Sequence, residues 1–261
     1  MRRFPPERIV CLTEETVEAL YLMGEEDRIV GVSGYAVRPA RVRREKPRVS
    51  AFTSANLPKI LALEPDLVLA FSDLQADIAA ELGRAGVAVH LFNQRDLAGI
   101  DAMLRLLGAL IGAPEKGAAL ADRLRPEPVA VEGARPLVYF EEWDDPAITG
   151  IGWVSELIEL AGGEDCFAHL RHEQAAKDRI VTWDMVAAAA PDIILASWCG
   201  KKVRPERIAA RPGWDMVPAV RHGLIREIKS PLILQPGPAA LTEGFAAIRA
   251  AVAEWREMER A

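Results

Sequence analysis

The chain has 261 residues, half of them hydrophobic and 27% charged, with a formal net charge of −6 at pH 7. The length suffices for a large single domain or for two lobes with adequate cores. The acidic balance excludes a general nucleic-acid binder, which favours a basic domain, and no apolar run reaches the roughly 20 residues that span a bilayer.

The opening stretch "MRRFPPERIV" is basic, but Pro5, Pro6 and Glu7 stand where the apolar core of a secretory signal would lie. A cytoplasmic chain is therefore expected as written, or a periplasmic one if an export segment has been trimmed. "ERIVCL" predicts a buried strand, since Ile, Val, Cys and Leu follow one another without polar alternation. Thr13 is a helix N-cap, and Glu14 and Glu15 occupy a first turn where the helix dipole favours acids. Val17, Leu20 and Tyr21 give that helix its apolar face, and Gly24 ends it. "RIVGVS" is the next strand, followed by a basic loop over residues 38–48 and a helix over residues 57–63. The strand "DLVLAF", a helix over residues 75–84 and the strand "VAVHLF" complete a parallel α/β unit.

A helix over residues 96–111 shows Leu97, Ile100, Leu104, Leu107 and Ile111 on one face, and a shorter one covers residues 115–124. Residues 125–136, "RPEPVAVEGARP", form a linker with three prolines and a glycine. The α/β rhythm then restarts with "LVYFEE", a helix over residues 154–161, "DIILASW", a helix over residues 205–211 and "GLIREI". A final helix carries Leu241, Phe245, Ile248, Val252 and Trp255 as a core-facing stripe. The predicted organisation is an α/β fold of two similar lobes with mainly parallel sheets. The lobes cover residues 1–95 and 136–261, with a helical connection and linker over residues 96–135.

The two lobes share a device. "ILALEPDLVLAFSD" (residues 60–73) returns as "VAAAAPDIILASWC" (residues 186–199), with Pro65 and Pro191 126 positions apart (191 − 65). Ligands of open α/β sheets gather beyond the carboxyl ends of the strands, and Phe71 and Trp198 both end a repeated strand. Two such lobes are expected to build matching walls of one cleft.

The segments "RIVCLTEETVEALYLMGEEDRIVGVSGYAVRP", "LPKILALEPDLVLAF", "ELGRAGVAVHLF" and "SELIELAGGEDCF" together resemble the substrate-binding proteins of ABC importers for cobalamin and ferric siderophores. The likeness runs in order from about residue 8 to 248 and is greatest to the cobalamin-binding members. It implies two α/β lobes, a small ligand gripped between them, and binding rather than catalysis. It also implies aromatics as the grip, which fall on Tyr35, Phe52 and Phe71 after strands or segments of the first lobe and on Trp143, Trp153 and Trp198 at or near strand-end or loop positions of the second. A corrin offers broad apolar faces that flat aromatics cover at little entropic cost. The resemblance further implies a docking carboxylate on each lobe for the membrane permease. Here the first such position holds Pro58 and the second Asp184, so a permease partner is in doubt.

Several constellations stand beside that resemblance. Glu14 and Glu15 cap a helix, accept from ligand amides or act as catalytic bases, capping being the plainest of these readings. Two basic clusters, Arg38 to Arg48 and Lys201 to Arg207, are solvated rims or would hold an anionic ferric chelate through guanidinium forks. Lys201, next to Trp198, joins the ligand-binding candidates. His169 and His172, spaced i, i+3, could supply an imidazole to a metal or to cobalt, but no nearby acid or cysteine set completes a site; His90 and His222 have no ligand pattern. Cys11, Cys166 and Cys199 form no disulfide framework. No nucleophile elbow, phosphate loop or complete dinucleotide fingerprint occurs, "GIGW" lacking its third glycine. The expectation is a non-catalytic binder of cobalamin or another corrinoid, with no covalently bound cofactor. A ferric-siderophore binder is the second reading, and a cytosolic corrinoid-handling protein or enzyme on the same fold the third.

Overall fold

A computed structural model describes residues 4–260, which divide into two compact units. The first comprises the chain up to Gln94 together with Ala98–Arg125. In order it forms β1 (Ile9–Cys11), α1 (Glu14–Met23), β2 (Ile29–Ser33), α2 (Val42–Glu45), β3 (Arg48–Ser50), α3 (Leu57–Ala62), β4 (Leu67–Phe71), α4 (Ala76–Arg84), β5 (Val89–Phe92), α5 (Leu97–Leu110) and α6 (Pro114–Leu124). The sheet is wholly parallel in the order β3-β2-β1-β4-β5. Its central strands β1 and β4 are buried throughout, which is why they read as unbroken apolar runs. α1 stops at Gly24, whose φ of 71° puts it in the left-handed region that glycine enters without steric cost. α5 and α6 approach closely: a Cβ on Gly108 would lie 2.7 Å from the Gly117 Cα, so neither helix tolerates a side chain there.

The second unit comprises Arg95–Leu97 and residues 126–260. It forms β6 (Leu137–Asp144), β7 (Ala147–Thr149), α7 (Gly152–Leu160), β8 (Glu164–Asp165), α8 (Trp183–Ala189), β9 (Ile193–Ala196), α9 (Pro205–Ala209), α10 (Pro218–Arg221), β10 (Ile225–Glu227), α11 (Ser230–Ile233) and α12 (Phe245–Glu259). The sheet order is β10-β9-β6-β7, with β7 antiparallel and β8 also pairing with β6. The stripe expected on the last helix is buried throughout, its first residue Leu241 lying in a π-helical turn, Ala240–Gly244.

The sequence repeat is a structural repeat within each unit. Asn56 and Thr182, 126 positions apart, cap α3 and α8 by accepting the backbone N–H of Lys59 and Met185. Glu64 and Ala190, at the same offset, take positive φ of 47° and 49° before their prolines. Asp66 then accepts the N–H groups of Glu7 and Arg8 leading into β1, at 3.0 and 3.1 Å. Asp192 accepts that of Leu137 at the start of β6, at 2.8 Å. Each device therefore ends a helix and sets the register of the strand beside the one it launches.

Three expectations need correction. The segment expected as a basic loop holds the helical turn α2 and the edge strand β3, hidden because Arg48 breaks the apolar pattern. Trp153 lies in the first turn of α7, which starts two residues before the expected Val154, and is not at a strand end. Residues 98–125 of the expected connection pack as part of the first unit.

Candidate functional site

Parallel strands deliver their carboxyl ends to one edge of the first unit. In its sheet order the winding reverses between β1 and β4, the position at which open α/β sheets accept ligands. Gln75 organises this edge. Its buried amide donates to the carbonyls of Phe52 (2.7 Å) and Leu12 (3.3 Å) and accepts the Phe71 N–H at 3.0 Å. One side chain thus ties together the ends of β1 and β4 and the loop after β3. Tyr35 follows β2 and is 53% exposed, its N–H held by the Ser33 hydroxyl. Phe52 is half-buried, while Phe71 is only 6% exposed.

Two acids begin α1 at the same edge. The Thr13 hydroxyl donates to Glu15 Oε1 at 2.5 Å and does not cap the helix; Glu15 Oε2 is buried without a partner. Burial pushes the Glu15 carboxyl up to about 8 and that of Glu14 up to about 7. Burial likewise raises the Cys11 thiol to about 12, so it is inert.

The strand ends of the second unit surround a buried ion pair. Arg211 donates to both Glu141 oxygens, at 2.5 and 2.9 Å, and its guanidinium lies 4.8 and 4.6 Å from the ring centres of Trp183 and Trp214. The Tyr139 hydroxyl and the Trp198 indole N–H also donate to Glu141, at 3.2 and 3.1 Å. Burial raises the Glu141 carboxyl above the usual range and the Arg211 contact opposes that shift. Beyond it, Lys201 pairs with Asp144 at 2.7 Å, with its ammonium 5.0 Å from the ring centres of both Trp143 and Trp198.

Tyr35, Phe52 and Phe71 are thus gathered at one sheet edge with Glu14 and Glu15, and Trp143, Trp198 and Lys201 at another. Trp198 is 2% exposed and belongs to the second unit's core with Tyr139 and Trp214. Trp153 is 3% exposed and donates its indole N–H to the Ile233 carbonyl, so both its faces and its donor serve the fold. The basic clusters are partly neutralised: Arg38 pairs with Glu18, and Arg41 with Glu26. Among the described residues, no group of three His, Cys, Asp or Glu side chains is placed to hold a metal ion. Gln75, Glu141 and Arg211 were missed from the sequence. The two acids inside the apolar run "LVYFEE" were the available sign of a buried carboxylate.

Two α/β units with mainly parallel sheets and aromatics at or after their strand ends are the architecture of the two-lobe binding-protein fold. The periplasmic binding protein family model matches residues 9–232, and the chain belongs to that family. The vitamin B12-binding protein of Vibrio parahaemolyticus is 27% identical over 250 residues, covering 92% of this chain and 88% of that protein. An uncharacterized ABC transporter substrate-binding lipoprotein of Bacillus subtilis is 25% identical, covering 92% of this chain and 77% of that one. Among solved structures, the periplasmic vitamin B12-binding protein of Vibrio cholerae aligns with a TM-score of 0.74 at 23% identity, over 97% of this chain and 99% of that one. A periplasmic heme-binding protein of Roseiflexus sp. RS-1 aligns with a TM-score of 0.77 at 22% identity, over 94% and 99%. No helix among the described residues is long and apolar enough to cross a membrane.

Proposed function

We propose that this protein binds cobalamin or another corrinoid as a dissociable ligand and performs no chemistry on it. The observation that carries this reading is the likeness to the vitamin B12-binding protein across 92% of the chain. The exposed face of Tyr35, the half-buried Phe52 and Trp143 supply flat apolar area for a corrin, with Glu14, Glu15 and Lys201 as polar groups near them. Trp198 belongs to the core cluster against which Trp143 packs, and Phe71 is buried at the end of β4. A ferric siderophore is the second reading, weakened at Arg38, Arg41 and Lys201, which already hold carboxylates. The proposal includes no stable permease complex, since Pro58 stands where the first docking acid is implied.

A corrin is coloured, so the test is direct. Protein mixed with cyanocobalamin and freed of excess ligand should retain the corrin absorption bands. Tyr35→Ala should weaken binding by about 1–3 kcal/mol, the usual cost of truncating a large aromatic contact, with an unchanged melting temperature. Retention of a ferric catecholate with no retention of the corrin would replace this reading with the siderophore one.

A further inference from the structure

At the outer edge of its sheet, flanking Phe52 and the carboxyl end of β3, the first unit carries a groove of about 800 Å³. It is lined by β3, the turn that follows it, the start of α3, and Glu81 from α4. The turn folds back on β3, with the Asn56 N–H donating to the Val49 carbonyl at 2.9 Å and the Ala51 N–H to that of Ser54 at 2.8 Å. The groove wall is therefore a closed, hydrogen-bonded surface and not an open strand edge.

Its charged groups are unevenly matched. Arg38 and Arg41 of the same basic stretch hold carboxylates, and Lys46 donates to the Glu26 carbonyl. Among the described residues, the Arg48 guanidinium has no acceptor. The Lys59 ammonium donates to one neutral acceptor, the Arg48 carbonyl, at 2.6 Å, which leaves two of its protons available. The Asn56 amide uses its oxygen on the Lys59 N–H, so its NH₂ is also a free donor. The Ser50 hydroxyl is shielded from water and makes no hydrogen bond. Against these donors the lining offers one acid, Glu81. Among the described residues, the groove holds two cations not neutralised by acids, a state that Arg43 and Arg44 of the same stretch share; what sets its lining apart is the shielded, unbonded Ser50 hydroxyl beside them.

We infer that this groove is a second ligand site, for a compact organic dianion bearing a phosphate ester or two carboxylates. A guanidinium fork meets either group through two parallel hydrogen bonds, and a lysine adds a point charge. The groove is shallow and open to solvent along one side, so its space admits a small organic molecule without enclosing it. Leu57 and Pro58 give the carbon skeleton an apolar wall.

The test is isothermal titration of the whole protein with glycerol phosphate and, separately, succinate, at constant ionic strength held by sodium chloride. One of the two should bind, and which one identifies the anion class. Arg48→Ala should weaken that binding at least about tenfold, the scale of a lost charged hydrogen bond. Glu81→Gln should strengthen it by removing the one like charge, a gain that misfolding cannot imitate. Retention of cyanocobalamin should be unchanged in both variants, which separates this site from the proposed corrinoid site. No heat from either probe up to about 10 mM, a limit of roughly −3 kcal/mol, would overturn the inference. Binding indifferent to both substitutions would overturn it equally.

Discussion

Glu15 shows how one buried carboxyl makes stability depend on pH. One oxygen accepts from Thr13, the other has no partner, and burial raises the group from 4.5 to about 8. A raised carboxyl in the native state means that the native chain binds more protons than the unfolded one between those values. Its contribution is therefore fully present below about 4.5 and is lost as pH rises through about 8. Glu14, raised to about 7 by burial, adds a slope of the same sign. Glu15→Gln keeps an oxygen for Thr13 and removes the titration. It should leave stability at pH 4.5 little changed and raise it at pH 8.5 by about 1–3 kcal/mol, a fraction of the full shift at 1.36 kcal/mol per unit. Urea midpoints at the two pH values check this, and equal pH slopes in both proteins would show that the carboxyl is hydrated in the native state.

At the scale of elements, the helix-cap, proline and aspartate device recurs in both units, and its aspartates are expected to matter for the strands they hold. Asp192→Ala removes the acceptor for the Leu137 N–H at the start of β6. The cost should be about 1–3 kcal/mol, that of an unsatisfied donor, and Asp192→Asn should recover part of it. Asp66→Ala should cost less, since the N–H groups of Glu7 and Arg8 that it releases lie at the exposed surface, where water can take the carboxylate's place. Urea midpoints of the variants measure this, and an unchanged midpoint for both alanine variants would mean that water replaces the carboxylates. The helix, Pro-Asp pair and strand of each device were legible in the sequence because they are local, consecutive within about 15 positions. The caps at Asn56 and Thr182 and the partners of the two aspartates were not read from it. The short edge strands β3 and β7 were not legible, because each has three residues with only mixed sequence around it (Arg48 and Ser50 in β3, Thr149 in β7), whereas β10, as short, stands in "GLIREI", which opens with apolar residues. The site was legible only in part for a related reason. An aromatic after a strand marks the position but not its burial, so Tyr35 and Trp198 look alike as letters while one is exposed and the other packed. Gln75 joins partners 23 and 63 residues away, and Arg211 meets Glu141 across 70; no local pattern records such pairings.

For the whole molecule, the repeat gives the question of a permease partner a physical form. Pro58 is the second residue of α3 and Asp184 the second residue of α8, and both are exposed. They stand 126 positions apart, the offset that relates the two helix caps and the two prolines. The two units therefore present equivalent positions, one with an acid and one without. A partner engaging both positions would gain from effective concentration, and losing one contact forfeits that gain, commonly 10²–10⁴-fold in avidity. Pro58 offers neither charge nor donor, and its neighbour Lys59 adds a like charge against any arginine of a partner. The expected outcome is that the unmodified protein forms no stable complex with a reconstituted cobalamin-type permease. Pro58→Glu is a conservative test of the fold: the second residue of a helix has no intrahelical acceptor for its N–H, and an acid there is favoured by the helix dipole. If docking fails only for want of the first acid, the substituted protein should be pulled down by the permease and Asp184→Asn in that background should release it. Tight capture of the unmodified protein would refute the argument, because a single acid on the second unit would then be enough.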